Sequence, residues 1–113
     1  MSRNILITGA NRGIGLALTK QYLSQGDTVY AVCRKASNEL SGLKGAKVIE
    51  GIDVTDDKDL LTLKKSLADV SLDIVINNAG IMTEETLGHI DFSAVAQQFL
   101  VNAMGPLKTT QAL

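Results

Sequence analysis

Short apolar runs alternate with stretches of helical periodicity along this chain of 113 residues, and that alternation restricts the fold more than any other feature. Runs rich in β-branched residues are predicted to be strands at residues 5–7, 28–33, 46–50 and 72–76. Apolar residues that recur every three or four positions predict helices over residues 14–22, 60–68 and 92–107. This alternation is typical of parallel βαβ units, so the sequence predicts one α/β domain over residues 1–113.

The connections between the predicted strands determine their order in the sheet. Right-handed crossovers place the first three strands in the order 3-2-1, and the fourth strand returns to the other side of strand one. The expected architecture is therefore a Rossmann-like, doubly wound parallel sheet of order 3-2-1-4. In such sheets ligands bind at the carboxyl ends of the strands where the winding reverses, which is between strands one and four here.

Charge and composition exclude several classes of protein. Eleven basic and twelve acidic residues leave a net charge of -1, so we expect no nucleic-acid partner. No apolar stretch reaches the ~18 residues of a membrane helix, and no secretory signal precedes the first strand. We therefore expect a cytoplasmic protein without membrane contact. The single cysteine, Cys33, cannot form an internal disulfide and is expected to be a small buried hydrophobe.

A glycine-rich turn joins the first predicted strand to the first predicted helix. Gly9 lets the chain turn out of the strand, Gly13 leaves room for a pyrophosphate, and Gly15 allows close packing of the helix. The helix N-terminus would then present free N–H groups to the phosphates. An ordinary βα turn without a ligand is the alternative. A P-loop is excluded because the Gly-Lys-Ser/Thr ending is absent.

Four motifs together give the chain a specific resemblance. The turn reads Thr-Gly-x-x-x-Gly-x-Gly, and Asp53-Val54, Asn77-Asn78-Ala79-Gly80 and Asn102 follow in that order. This set resembles the classical short-chain dehydrogenase/reductase family. The resemblance implies a nicotinamide dinucleotide cofactor, hydride transfer to or from a small carbonyl or alcohol substrate, and a homodimer or homotetramer.

The resemblance also implies roles for individual residues. Asp53 would accept a hydrogen bond from the adenine amino group, although a turn carboxylate is the alternative. The segment 78–80 would line the crevice beside a ribose, or Asn77 and Asn78 would mainly tie neighbouring strands together. No metal site is expected. The residues expected to bind the cofactor are Gly9, Asn11, Arg12, Gly13, Ile14, Gly15, Arg34, Asp53, Val54, Asn78, Ala79 and Gly80.

Basic residues after the second strand predict which dinucleotide binds. An acidic residue about twenty positions after the glycines would bind the ribose 2′-OH of NAD, but the chain has Arg34-Lys35 there. Arginine binds phosphate oxygens bidentately, and Arg12 offers a second cation. The sequence therefore predicts NADP(H) as the preferred cofactor and NAD(H) as the alternative. The alternative is that Arg34 and Lys35 are solvated charges in a loop and bind no ligand.

The only proline interrupts the longest helical pattern. Pro106 has no N–H, so it cannot donate to the carbonyl of Asn102 four residues earlier, and a kink is predicted there. In the family, the equivalent asparagine carbonyl holds a water in a proton relay to a catalytic lysine. Asn102 is therefore the one catalytic residue expected in this chain, unless it simply fills a helix kink.

The rest of the family's catalytic machinery has no counterpart. The family needs a serine and a Tyr-x-x-x-Lys pair, but Tyr22 is followed four places later by Gly26, and Tyr30 by Arg34. His89 is expected to be an exposed loop residue. We therefore expect the cofactor-binding half of a longer reductase, truncated before the catalytic tyrosine and inactive alone. The alternative is a non-catalytic dinucleotide-binding or sensor module; a methyltransferase is disfavoured because the ribose-binding acid is missing.

Overall fold

The computed structural model describes residues 2–82 and 84–113. Within them, the strands are β1 (Asn4–Thr8), β2 (Thr28–Val32), β3 (Lys47–Ile49) and β4 (Ile74–Ile76). The helices are α1 (Gly13–Ser24), α2 (Asn38–Ser41), α3 (Asp57–Ser66), α4 (Phe92–Phe99) and α5 (Gly105–Ala112), with a π-helical turn at Leu100–Met104.

The four strands form one parallel sheet of order β3-β2-β1-β4, so the predicted topology is confirmed. The alternation of side chains along β1 divides the core between the two faces of the sheet. Ile5 and Ile7 belong to a cluster with Leu16 and Leu40, whereas Leu6 packs with the buried leucines of α3. Helices therefore cover both faces, as a doubly wound sheet requires.

Aspartates cap the N-termini of α3 and α4. Before α3 the sequence offers Thr55 or Asp56 as the cap, and it is Asp56 that accepts hydrogen bonds from the N–H groups of Lys58 and Asp59. Asp91 accepts from the N–H groups of Ser93 and Ala94 and begins α4. Each carboxylate satisfies donors that have no partner within the first turn of the helix.

The last helical region departs from a regular α-helix at the position where the sequence predicted a kink, at Asn102. The departure takes the form of the π-helical turn Leu100–Met104, which contains Asn102. Pro106 lies in the first turn of α5, which continues directly from the π-helical turn. Its missing N–H therefore removes a donor from the carbonyls of the preceding turn, where the hydrogen-bond pattern changes.

The predicted apolar face of this region is largely open to solvent. No residue of α4 is buried, and Phe92 is 75% exposed, Phe99 60% and Leu107 69%. Within the described residues, no helix combines the length and the apolar character needed to cross a membrane. The predicted loop before α4 contains a tight turn in which Thr86 pairs with an exposed His89; Thr83 lies outside the described residues.

Candidate functional site

A cavity of about 820 Å³ opens at the carboxyl ends of β1, β2 and β4, where the winding of the sheet reverses. Eleven residues that the sequence singled out line it: Gly9, Asn11, Arg12, Gly13, Ile14, Arg34, Asp53, Val54, Asn78, Ala79 and Gly80. Two others do not line it, because Gly15 is buried behind the glycine turn and Asn102 contacts the loop after β4.

The glycine turn needs glycine for two different reasons. Gly9 and Gly13 have positive φ values of 65° and 54°, which L side chains rarely adopt. A side chain on Gly15 would overlap the carbonyl oxygen of Gly9 and lie 2.6 Å from Nδ2 of Asn78. Gly15 therefore lets α1 pack against the turn itself and against the loop after β4, which belongs to the other half of the chain.

The hydroxyl of Thr8 joins the two loops on either side of the crevice. Its Oγ1 accepts hydrogen bonds from the N–H groups of Asn78 and Ala79, each at 3.0 Å. Nδ2 of Asn78 donates to the carbonyl of Gly9 at 3.1 Å. Asn78 thus both lines the cavity and ties strands β1 and β4 together, while Nδ2 of Asn77 donates to Thr110 on α5 at 3.2 Å.

The N-terminus of α1 points its free donors toward the glycine turn. Arg12 precedes the helix in an extended conformation, and no side chain caps the first turn. The first N–H groups of an α-helix have no intrahelical acceptor, and together with the helix dipole they favour an anion. This end of the cavity therefore has the electrostatic character of a phosphate site.

Three cations surround the neighbouring part of the cavity. Arg12, Arg34 and Lys35 are exposed and line it. Nδ2 of Asn11 donates to the carbonyl of Lys35 at 3.4 Å, and Oγ of Ser37 donates to the carbonyl of Asn11 at 2.5 Å. These bonds hold the loop after β2 against the glycine turn, so the cations of both segments face one region.

Asp53 lies in the loop after β3, with its carboxylate fixed by a neighbour. Oδ1 accepts from the N–H of Thr55 at 2.9 Å and from Oγ1 of Thr55 at 2.7 Å. These hydrogen bonds favour the ionised form and lower the pKa of Asp53 below its usual value, with a smaller contribution from the charge of Arg34. The adjacent Val54 is buried against Gly105, where an added Cβ would lie 2.8 Å from Cγ2 of Val54.

Asn102 uses its side chain to hold the main chain of Ile81. Oδ1 accepts from the N–H of Ile81 at 2.8 Å, and Nδ2 donates to its carbonyl at 2.6 Å. Gly80 leaves room for this approach, since a Cβ there would lie 3.1 Å from Oδ1 of Asn102, tighter than an ordinary van der Waals contact. The π-helical turn thereby positions the end of the loop that lines the cavity.

Sequence reasoning did not assign several residues that complete the site. Thr8, Val32, Cys33, Lys35, Ile52, Ile81, Gln97 and Val101 also line the cavity. The sequence marked Thr8, as the first residue of the glycine motif, and Lys35, as a cation beside Arg34, but no sequence pattern marked Gln97 or Val101.

Burial raises the pKa of the Cys33 thiol, and Glu50 adds to the effect. Among the residues described, no cluster of three or more His, Cys, Asp or Glu side chains is arranged to hold a metal ion.

Comparison with known proteins agrees with this geometry. A family model for short chain dehydrogenase matches residues 3–113. The chain is 32% identical over 111 residues to a 1-hydroxy-2-glutathionyl-2-methyl-3-butene dehydrogenase of Rhodococcus, covering 96% of this chain and 49% of the relative. It is 39% identical over 109 residues to the short-chain dehydrogenase virD of Hypocrea virens, covering 91% of this chain and 37% of the relative.

A solved structure shares the same arrangement of strands and helices. The NADPH-bound carbonyl reductase from chicken fatty liver superimposes with a TM-score of 0.86 at 28% identity, covering 98% of this chain and 50% of that one. The chain thus spans half or less of the length of these three proteins. The family model and the identities over nearly the whole chain establish that this chain belongs to the short-chain dehydrogenase family.

Proposed function

We propose that the cavity binds a nicotinamide adenine dinucleotide and that NADP(H) is preferred over NAD(H). One observation carries the proposal: the free end of α1, the cations after β2, Asp53 and the segment 78–80 all border one cavity of about 820 Å³. The glycine cradle fits a pyrophosphate, since nothing lies within 4 Å of the position a Gly13 side chain would take. The dinucleotide would supply or accept the hydride, and the residues of this chain would hold its adenosine and phosphates.

The preference for NADP(H) rests on the charges at the adenosine end. A guanidinium at Arg34 matches a 2′-phosphate, and Arg12 adds a second positive charge beside it. The structural relative from chicken binds NADPH, which supports the same choice here. Without an acidic residue after β2, NAD(H) lacks the partner that usually binds its ribose 2′-OH.

Replacing Arg34 by Asp tests this preference. We expect Arg34→Asp to weaken NADP⁺ binding by about tenfold or more, because a charge-assisted hydrogen bond is lost and a like charge is introduced. Calorimetric titration with NADP⁺ and NAD⁺ in low-phosphate buffer measures both affinities. Lys44→Asp makes the same charge change at an exposed residue outside the cavity and should leave the ratio unchanged. Equal affinities in the wild type, or an unaltered ratio in Arg34→Asp, would contradict the preference.

We infer that the activity served by this site is hydride transfer between the cofactor and a small carbonyl or alcohol. Asn102 would contribute its carbonyl to a proton relay, and its side-chain bonds to Ile81 would position the loop at the cavity. The 113 residues contain no Tyr-x-x-x-Lys sequence, so we expect this chain to bind cofactor without turnover. A non-catalytic dinucleotide sensor, which would bind cofactor and encode no Tyr-x-x-x-Lys in its native reading frame, is the second candidate.

A turnover assay tests whether this chain catalyses hydride transfer by itself. NADPH oxidation by the purified chain, followed at 340 nm with a panel of aldehydes and ketones, should not exceed the rate without protein. A substrate-dependent rate that scales with protein concentration would refute the claim that catalysis needs the missing pair. Reading the codons downstream in the native frame distinguishes a reductase, which encodes Tyr-x-x-x-Lys, from a sensor, which does not.

We further propose a cytoplasmic homo-oligomer that associates through the exposed apolar face of α4. Phe92, Val95 and Phe99 form that face, and their burial against a second copy would remove substantial apolar surface from water. Sedimentation velocity should detect a dimer or tetramer that Phe99→Glu dissociates. Leu61→Glu places the same charge at an exposed leucine of α3 and should leave association intact. A wild-type monomer at all concentrations would contradict the proposal.

A further inference from the structure

The three cations that border the cavity have no anionic partner in the part of the chain that the structure describes. Arg12 belongs to the glycine turn, whereas Arg34 and Lys35 belong to the loop after β2, and all three are exposed. The ion pairs among residues 2–82 and 84–113 involve other cations. Like charges repel each other, so other bonds must hold together the two segments that carry this basic cluster.

The hydroxyl of Ser37 joins the two segments. Its Oγ donates to the carbonyl of Asn11 at 2.5 Å and accepts from the N–H of Leu40 at 3.2 Å. The carbonyl of Asn11 belongs to the peptide bond that leads into Arg12, so Ser37 fixes the main chain directly before that cation. A hydroxyl has one hydrogen to donate, and the carbonyl of Asn11 takes it. Ser37 does not line the cavity, so it acts on a ligand through the residues that it holds.

The loop after β2 has two further attachments. Nδ2 of Asn11 donates to the carbonyl of Lys35 at 3.4 Å, which is long for such a hydrogen bond. The N–H of Ala36 donates to the carboxylate of Glu50 at 3.0 Å. Glu50 directly follows β3, so this bond fixes the loop relative to the sheet and not to the glycine turn. Among the described residues, Ser37 therefore supplies the shorter of the two side-chain bonds that join the loop to the turn.

We propose that Ser37 is a positioning residue that holds Arg12 beside Arg34 and Lys35, so that one phosphate dianion contacts both segments. The inference rests on the proposed dinucleotide site. A phosphate monoester carries about two negative charges at neutral pH and three strong acceptor oxygens, so it can bind cations of both segments together. Without the Ser37 bond, binding must first order the main chain before Arg12, and this ordering weakens the affinity. NAD(H) carries a hydroxyl in place of the 2′-phosphate, so its affinity depends far less on Ser37.

Replacing Ser37 by glycine separates this bond from the cap of α2. Glycine is nearly as good an N-cap as serine, so Ser37→Gly keeps α2 and loses the bond to Asn11. We expect NADP⁺ to bind about fivefold more weakly and NAD⁺ to change by less than about twofold. Calorimetric titration in low-phosphate buffer measures both affinities. Ser37→Thr retains the hydroxyl and should retain the wild-type ratio of the two affinities, whereas a merely structural role would lower both together.

A control variant and a salt titration separate positioning from folding. Ser41→Gly makes the same change at an exposed residue of α2 and should leave both affinities unchanged. If Ser41→Gly also lowers the ratio, the effect comes from the stability of α2 and the inference is overturned. Salt screens contacts between cations and phosphate, so added NaCl should reduce the preference of the wild type for NADP⁺. In Ser37→Gly the same salt should reduce the preference by less, because fewer of these contacts are made.

The outcomes distinguish this inference from the proposed function. A wild-type chain that binds neither dinucleotide, or binds both equally, would overturn the proposed function together with the inference. A wild type that prefers NADP⁺, with a ratio that Ser37→Gly leaves unchanged, would overturn the inference alone. Ser37→Ala loses the same bond and repeats the test if Ser37→Gly does not fold. Failure of both variants to fold would show that the hydroxyl stabilises the whole domain, and it would also overturn the inference.

Discussion

Single polar side chains shape this cavity by forming hydrogen bonds to the main chain of its loops. Asn102 holds both polar groups of Ile81, and Asn11 and Ser37 join the loop after β2 to the glycine turn. Loops carry many unpaired main-chain groups, and side-chain hydrogen bonds fix them in one conformation. The precision of the site therefore depends on residues that a search for charged or nucleophilic groups would not select.

One buried hydroxyl destabilises the fold, because it forms no hydrogen bond among the described residues. Thr109 on α5 is fully buried, and its Oγ1 has no hydrogen-bond partner among the described residues. An unpaired buried hydroxyl is destabilising, so Thr109→Val should raise the free energy of unfolding by about 1 kcal/mol. Urea denaturation measures the change. Thr110→Val is the control, because Thr110 is exposed and accepts a hydrogen bond from Asn77, and its loss should not stabilise the chain.

At the scale of elements, the sequence specified the order of the sheet better than the details of the helices. Apolar runs and the handedness of the connections predict the order β3-β2-β1-β4. Local side-chain chemistry predicts the cap at Asp91 but leaves Thr55 and Asp56 as alternatives for α3, which the structure resolves in favour of Asp56. The π-helical turn Leu100–Met104 was not predicted, because Pro106 shows only which donor is missing and not how the preceding turn responds. The bonds of Thr8 to Asn78 and Ala79 were equally hidden, since they join residues about 70 positions apart.

The two capping aspartates should differ in their effect on stability. Removing an N-cap carboxylate costs about 1 kcal/mol of helix stability. Helix α3 buries Leu60 and Leu63, so Asp56→Ala should lower the global free energy of unfolding by about that amount. No residue of α4 is buried, so Asp91→Ala should fray α4 with little global effect. Hydrogen exchange of the α4 amides measures the fraying, and urea denaturation of both variants measures the global free energy of unfolding. Equal losses of that free energy in Asp56→Ala and Asp91→Ala would contradict the prediction.

At the scale of the whole molecule, an ion pair and several hydrogen bonds join the segment before β1 to the start of β2. Arg3 lies before β1 and Asp27 before β2; the guanidinium donates to both carboxylate oxygens, and the N–H of Arg3 donates to Oδ1. The Asp27 side chain is only 4% exposed. These hydrogen bonds lower the pKa of Asp27, first through the guanidinium and then through the main chain of Arg3.

This lowered pKa predicts the direction of acid sensitivity. The contribution of Asp27 to stability is fully present above the pKa of the unfolded chain and is lost as the pH falls through the lower folded value. We therefore expect wild-type stability to decline on acidification below about pH 4. Asp27→Asn should be less stable at neutral pH and should decline less in acid. Thermal unfolding from pH 7 to pH 2 measures both, and the exposed Asp69→Asn should follow the wild-type profile.

The hydroxyl of Thr8 also determines when the cavity comes into existence. Its two donors belong to Asn78 and Ala79, so a ribosome must have released the chain through residue 79 before the crevice can close. Strands β1 to β3 and their helices can already have paired by then, because their contacts span fewer residues. The pocket consequently assembles after β4, and a nucleotide that fills it would report that the chain through the lining residue Val101 has emerged.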